Sequence, residues 1–260
     1  MKRQRTRAGL SSGLSLSTKS PLSSGFALTD IPDLLLNLDA SDESTITEGA
    51  TFTWADKSGQ GNDVSQSTAS YQPLTGTGTI GGLNALEFNN GGVASRLTRG
   101  DSCGLAAGAP AFTIFAVHRA DKGDQNFILY LGDSASAAGK NIRVSAGNNG
   151  SSYRFGNGNL FYSENFTTAG LSIWRGEENQ ASADYQFYKN GGDPATPVSG
   201  TGSSTVPLNL GTGGTAVGAD LLNDTGRFQG LIGQIAVYGR YLTASEINQA
   251  GSLLSTKWGI

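Results

Sequence analysis

Apolar residues fall in short runs along this chain, and Gly, Asn and Asp fill most of the gaps between the runs. That pattern predicts many short β-strands joined by tight turns. Strands are expected at Leu34–Asp39, Thr51–Trp54, Leu83–Phe88, Arg96–Thr98, Phe112–Arg119, Phe127–Leu131, Ile142–Ser145, Tyr153–Phe155, Leu160–Tyr162, Leu171–Arg175, Tyr185–Lys189, Thr215–Val217 and Phe228–Tyr238. Ala55–Gly82 reads as one long loop. The gaps Asn89-Asn90-Gly91-Gly92, Gly147-Asn148-Asn149-Gly150 and Asn190-Gly191-Gly192-Asp193 hold residues that tolerate the positive φ of hairpin turns.

Two runs say where they sit. Phe112, Ile114 and Ala116 alternate with Phe115 and Val117, so both faces of that strand are apolar and it belongs at the centre of a sheet covered on both sides. Tyr185–Lys189 alternates more openly, as an outer strand does. One segment changes period. Thr243-Ala244-Ser245-Glu246 is a capping box, and Ile247, Ala250, Leu253 and Leu254 follow at helical spacing, with Gly259 placed to end the helix. The expected architecture is all-β: a two-sheet antiparallel jelly-roll sandwich with one short C-terminal helix.

Composition agrees with turn-rich β-structure. Of 260 residues, 38 are Gly and only 15% are charged, while 37% are apolar, enough for a core. The single cysteine, Cys103, excludes an intrachain disulfide framework, and it reads as a small buried residue. No apolar run is long enough to span a membrane, and no apolar stretch follows the basic N-terminus as a secretory signal requires. Charge divides the chain in two. Residues 1–27 carry Lys2, Arg3, Arg5, Arg7 and Lys19 and no acid, a net +5. The whole chain is −3, so residues 28–260 carry −8. Residues 1–27 therefore read as an extended, basic, Ser/Gly-rich arm with a partner of its own, and 28–260 as the folded domain. An acidic body is a poor surface for nucleic acid.

Two stretches carry a family likeness. The first is Leu38-Asp39-Ala40-Ser41 with Trp54-Ala55-Asp56-Lys57-Ser58-Gly59-Gln60-Gly61-Asn62-Asp63. The second is Phe228-Gln229-Gly230-Leu231-Ile232-Gly233-Gln234-Ile235-Ala236-Val237-Tyr238, with Leu242-Thr243-Ala244-Ser245-Glu246 and Lys257-Trp258-Gly259-Ile260. Phe187-Tyr188-Lys189-Asn190-Gly191 between them is similar to a strand and its Asn-Gly hairpin. Together they resemble laminin-G-like domains of the concanavalin A-like lectin/glucanase superfamily, as found in bacteriophage virion proteins. The resemblance implies a jelly roll, with carbohydrate binding, adhesion or a virion role, and calcium in some members. The chain departs from the family at Gln234, where many relatives carry an acid, and at Gly239, where Asp is common.

Catalysis is not expected. A glycosidase needs two carboxylates about 5–9.5 Å apart, and no expected strand carries alternating acids. Glu177 and Glu178 are adjacent and would face opposite sides of a strand, and Asp39 and Asp42 lie in or beside a turn. His118 is the only histidine, and with one Cys it excludes the usual zinc sites. Two features point to binding. Asp56, Ser58, Asn62 and Asp63 offer hard oxygen ligands that suit calcium, with Asp56 and Asp63 as the carboxylates; the same residues also suit an Asx-turn loop that caps its own backbone. Trp54 and Tyr188, with Trp174, Tyr153 and Tyr162, could stack on sugars or fill a core. No cofactor is required by this reading. The leading expectation is a non-enzymatic structural or adhesive virion protein, a capsid decoration or tail component. Its arm would bind other virion proteins, and its sandwich would be displayed as a homo-oligomer, in contact with a cell-surface glycan. The alternative is a free carbohydrate-binding module, calcium-dependent in one form, outside the cell or on its surface.

Overall fold

The computed structural model of the chain describes residues 25–89, 95–121, 127–133, 140–146, 151–155, 158–162, 166–179, 185–190, 208–221 and 226–260. In chain order the strands are β1 (Leu34–Asp39), β2 (Ile46–Thr47), β3 (Phe52–Trp54), β4 (Val64–Gln66), β5 (Leu74–Ile80), β6 (Leu83–Phe88), β7 (Leu97–Arg99) and β8 (Phe112–Ala120). They continue as β9 (Phe127–Gly132), β10 (Asn141–Ala146), β11 (Ser151–Phe155), β12 (Gly158–Tyr162), β13 (Gly170–Gly176), β14 (Gln186–Lys189), β15 (Thr215–Val217) and β16 (Gly230–Tyr238), and helix α1 (Ala244–Trp258) closes the chain.

The described strands form two antiparallel sheets. One has seven strands in the order β14-β13-β8-β16-β6-β5, with β1 also paired to β16; the other has nine, in the order β12-β11-β10-β9-β15-β7-β4-β3-β2. The expected sandwich is the observed one. Side chains on a strand alternate faces, and here the alternation fills two cores. Phe112, Ile114 and Ala116 of β8 enter the core between the sheets, opposite Phe52, Trp54 and Leu129. Phe115 and Val117 point the other way, into a second core under α1 with Ile247, Ala250 and Leu254. β8 is thus central, flanked by β13 and β16, and β14 lies at an edge, as read from the sequence.

Helix α1 forms as its capping box predicts. Thr243 Oγ1 accepts from the Glu246 N–H, Glu246 Oε2 accepts from the Thr243 N–H at 2.9 Å, and Gly259 ends the helix at φ 65°. Its C-terminus sits on the β5–β6 hairpin so closely that a Cβ on Gly81 would lie 2.0 Å from the Trp258 carbonyl oxygen. Leu253, expected on the buried face, is only partly buried.

The sequence reading missed strands in two places: β2, where no strand was expected, and a longer stretch after Trp54. Ala55–Gly82 is not one loop: β4 and β5 lie within it. β4 has only three residues, and β5 reads Leu-Thr-Gly-Thr-Gly-Thr-Ile, whose small polar residues give no apolar alternation. The basic residues Lys2, Arg3, Arg5, Arg7 and Lys19 lie outside the described residues.

Candidate functional site

The loop after β3 is built around one carboxylate. Asp56 Oδ1 accepts from the N–H groups of Asn37 (2.8 Å) and Ser58 (2.8 Å); Oδ2 accepts from the Asn62 N–H (2.9 Å) and the Ser58 hydroxyl (2.6 Å). Asp63 Oδ1 accepts from the Asp56 N–H at 2.8 Å. Asn62 Nδ2 donates to the carbonyls of Leu35 (2.7 Å) and Cys103 (3.1 Å), and the Ser58 hydroxyl oxygen lies 3.1 Å from Leu35 O. The four residues are therefore brought together, but their oxygens serve the chain itself. The loop also finishes a sheet edge. Leu38 bridges Asp56, and the Lys57 N–H donates to Asn37 O at 2.9 Å, so the side of β1 away from β16 is covered. Among the described residues no three or more His, Cys, Asp or Glu side chains cluster as a metal site needs. A groove of about 360 Å³ runs beside the loop, between Ser58, Gln60 and Thr29–Leu35.

On the other flank of β1 lies a charged cluster. Lys257 Nζ donates to Asp39 Oδ1 (2.5 Å) and Gln234 Oε1 (2.9 Å), and Lys57 Nζ bridges Asp39 Oδ2 (3.3 Å) and Asp42 Oδ2 (2.7 Å). Gln234 completes it, donating to Asn37 Oδ1 at 2.9 Å and accepting from the Trp258 indole N–H at 3.0 Å. Burial raises the Asp39 carboxyl, but hydrogen bonds from Lys257 and Ser41 and the charges of both lysines hold it below the usual range. The Lys57 hydrogen bond, with one from Ser44, holds Asp42 at about 2. Gln234, the departure from the family pattern, thus acts as an amide hub that gives to Asn37 and takes from Lys257 and Trp258. A groove of about 280 Å³ opens over this cluster, walled by Phe26, Leu28, Leu253 and Leu254.

Two of the expected ligand aromatics are corrected. Trp54 is fully buried in the core between the sheets and Tyr188 in the core under α1, so neither offers a face to a sugar. The Tyr188 hydroxyl instead accepts from Arg175 at 2.6 Å, and the Arg175 guanidinium lies over the rings of Tyr188 and Tyr241. Trp174 is buried as well. The side chains of Tyr153 and Tyr162 lie outside the described residues. An aromatic on a strand between two apolar layers turns inward by default.

The open surface is elsewhere. The outer face of the seven-stranded sheet is covered by α1. The outer face of the nine-stranded sheet carries a row that register aligns from strand to strand: Thr47, Thr53, Ser65, Thr98, Ala216, Tyr130, Arg143. Each of Thr53, Tyr130 and Arg143 sits between two core residues, so its own side chain points out. Thr47 is exposed and Thr53, Ser65 and Thr98 half-buried, whereas Tyr130 and Arg143 are buried. At the open end the Arg96 guanidinium lies 5.1 Å from the centre of the half-buried Tyr71 ring. Gln66 Nε2 donates to Arg96 O at 3.2 Å and ties that pair to β4. At the covered end Arg143 Nε donates to Asn141 Oδ1 at 2.9 Å, beneath the rings of Phe127 and Tyr130. Sequence reading missed Tyr71 and Arg96 as a pair. Only the pairing of β4 with β7 brings them together.

His118 is fully buried; its Nε2 bonds the Ser172 hydroxyl at 2.8 Å, and burial pulls the imidazole down to about 3. Burial raises the Cys103 thiol to about 12. Among the described residues the carboxylates with displaced pKa values, Asp39, Asp42, Asp101 and Glu246, are all displaced downward. Glu177 and Glu178 are exposed.

No family model matches the chain, and no curated protein matches it in sequence. Solved structures match its fold. The binding domain of Paraclostridial Mosquitocidal Protein 1 superposes with a TM-score of 0.58 at 12% identity over 88% of this chain and 53% of that one. Domain 4 of AbnA, an extracellular arabinanase from Geobacillus stearothermophilus solved with arabinotriose, gives 0.56 at 14% identity over 84% of this chain and 98% of that domain. A Trypanosoma rangeli sialidase in complex with sialic acid gives 0.59 at 16% identity over 87% of this chain. The chain spans about half of the mosquitocidal structure and 33% of the sialidase. At such identities the likeness concerns the fold, a two-sheet antiparallel β-sandwich.

Proposed function

We propose that this domain is a non-catalytic glycan-binding module, of laminin-G-like type, that takes its ligand on the outer face of the nine-stranded sheet. The observation that carries this is the hydroxyl row of Thr53, Ser65 and Thr98, ending at the Tyr71–Arg96 pair, on a face that α1 leaves open. Hydroxyls and a guanidinium fixed on a rigid sheet complement sugar hydroxyls, and an aromatic ring complements the apolar face of a sugar. The arabinanase domain solved with arabinotriose supports the reading by its fold. The non-catalytic reading is supported by the described carboxylates, since a glycosidase acid needs a raised pKa and those displaced among the described residues are lowered. Calcium is not needed, because Asp56 already spends its oxygens on four donors within the chain. A screen of the chain against immobilised glycans, repeated with Tyr71→Ala, tests the proposal. Binding that is lost in Tyr71→Ala and kept in Tyr241→Ala supports it. Failure to retain any glycan, or binding indifferent to Tyr71, refutes it.

A second reading, display on a bacteriophage virion, is favoured by the charge division between a +5 arm and a −8 body. It predicts that Lys2, Arg3, Arg5, Arg7 and Lys19 are shielded from trypsin in native particles and cut in the recombinant chain. Equal cleavage in both rejects it.

A further inference from the structure

The seven-stranded sheet ends at β14 on one side and at β5 on the other. An edge strand exposes unpaired N–H and C=O groups, and proteins usually guard it with charge or proline. β14 carries Lys189. β5 holds no charged residue and no proline from Leu74 to Ile80, and its irregularity is the bulge between Leu74 and Gly78. It also bears Leu74, at 46% exposure the one large exposed apolar side chain among the described residues.

The sequence of β5 is its own mirror. Leu74-Thr75-Gly76-Thr77-Gly78-Thr79-Ile80 reads nearly the same from either end, with Thr77 at its centre. We propose that β5 pairs antiparallel with β5 of a second copy of this chain, about a twofold axis at Thr77. Such pairing sets Thr77 against Thr77, Thr75 against Thr79, Gly76 against Gly78 and Leu74 against Ile80. Cross-strand Thr–Thr pairs are favourable, and a neutral strand meets no like charge in its twin.

The backbone has the right phase. The β5–β6 turn, Gly81-Gly82, has positive φ at both residues (57° and 81°), the two-residue hairpin type that closes on a hydrogen-bonded pair, here Ile80 with Leu83. Alternation from Ile80 turns the N–H and C=O of Gly78 toward β6 and those of Thr79 toward the free edge. The Gly76 N–H, at the bulge, donates to Asn84 Oδ1 of β6 at 2.9 Å, so the bulge is satisfied inside the hairpin. Thr79 keeps its amide and carbonyl for the partner, and the twofold axis repeats that pairing on both sides of Thr77. Leu74 gains cover beside the partner's Ile80. The interface is isologous and closed, so it stops at a dimer.

Sedimentation of the full chain over a range of concentrations tests this. The expected result is a reversible monomer–dimer equilibrium that Thr77→Lys abolishes. Thr77 is exposed and Glu87 accepts from its hydroxyl at 2.8 Å, so a lysine there has a counter-charge and the hairpin holds; an unchanged circular dichroism spectrum checks that. A second variant covers weak association. In an antiparallel hydrogen-bonded pair facing Cα atoms are about 5.5 Å apart, so Thr77→Cys should join to its twin through a short bismaleimide. Cys103 is buried and does not compete. Thr53→Cys, on the other sheet, should not join. A chain that stays monomeric and does not join at position 77, or a dimer that persists in Thr77→Lys, overturns the proposal.

Discussion

Asp56 offers the sharpest test of what the β3–β4 loop is for. Alanine there removes the acceptor of three backbone N–H groups, Asn37, Ser58 and Asn62, and of the Ser58 hydroxyl. A hydrogen bond to a charged group contributes about 1.5–3 kcal/mol net, and a donor left without a partner costs about 1–3 kcal/mol. Asp56 is half-buried, so water replaces part of what is lost. The expected loss is about 3 kcal/mol, a fall in Tm of roughly 6–12 °C for a chain of this size. Asp56→Asn keeps one carbonyl oxygen and should fall between. The assay is thermal and urea unfolding by circular dichroism, with EDTA and then with excess calcium. If the loop is a structural cap, calcium leaves the wild-type Tm unchanged. A loss below about 1 kcal/mol in Asp56→Ala, or a calcium-dependent rise in Tm that this variant removes, would refute the reasoning and restore the metal reading.

Stability should also report on His118. Unfolded, it takes a proton as pH falls through 6.5; folded, burial prevents this until about 3. The unfolded state thus binds one more proton between those values, and stability falls with falling pH by about 1.4 kcal/mol per unit. The carboxylates held low contribute stability that is lost as pH falls through their unfolded values, 3.8 for Asp39 and Asp42 and 4.5 for Glu246, toward the lowered folded ones. His118 is the only histidine, so the slope between about pH 6 and about 5.5, above the range of Glu246, should vanish in a folded His118→Gln, and a slope unchanged in that variant would contradict the assignment. Gly81 and Gly82 form a matched pair. Both have positive φ, but a Cβ at 81 strikes the Trp258 backbone while one at 82 meets nothing. In urea unfolding Gly82→Ala should cost about 1 kcal/mol and Gly81→Ala about 3 kcal/mol or more; equal costs would mean that the hairpin does not support the end of α1.

Much of the fold was legible because its signals are local. The capping box at Thr243–Glu246 and the two-faced pattern of β8 each specify an element within a few residues. β5 escaped because Thr and Gly signal no buried face, and it buries little. The candidate ligands divided along the same line. Asp56, Ser58, Asn62 and Asp63 were recognisable as one loop, since the Asx pattern is local. Trp54 and Tyr188 could not be placed, because a residue three or four positions into an apolar strand has two faces and sequence alone does not say which is covered. Tyr71 and Arg96 meet only through pairing of β4 with β7, and Gln234 becomes a hub only when Asn37, Lys257 and Trp258 converge on it.

The proposed dimer and the proposed ligand face bear on each other through symmetry. Antiparallel pairing of β5 with its twin continues one sheet, and residues set opposite each other share a face. The twofold axis therefore stands across the sheet, so both α1 helices lie on one side and both nine-stranded sheets on the other. Two ligand faces then look the same way, an arrangement suited to a surface that repeats its glycan. Linked sites gain 10²–10⁴-fold (order of magnitude) in avidity with no new contact when geometry lets both engage. Thr77→Lys lies on the sheet that does not carry the ligand row. It should weaken binding to a densely glycan-coated surface by about 10²-fold or more and leave affinity for the same glycan free in solution unchanged. If both affinities fall together, the variant has disturbed the site itself; if neither moves, the two faces act alone and the dimer has no part in adhesion.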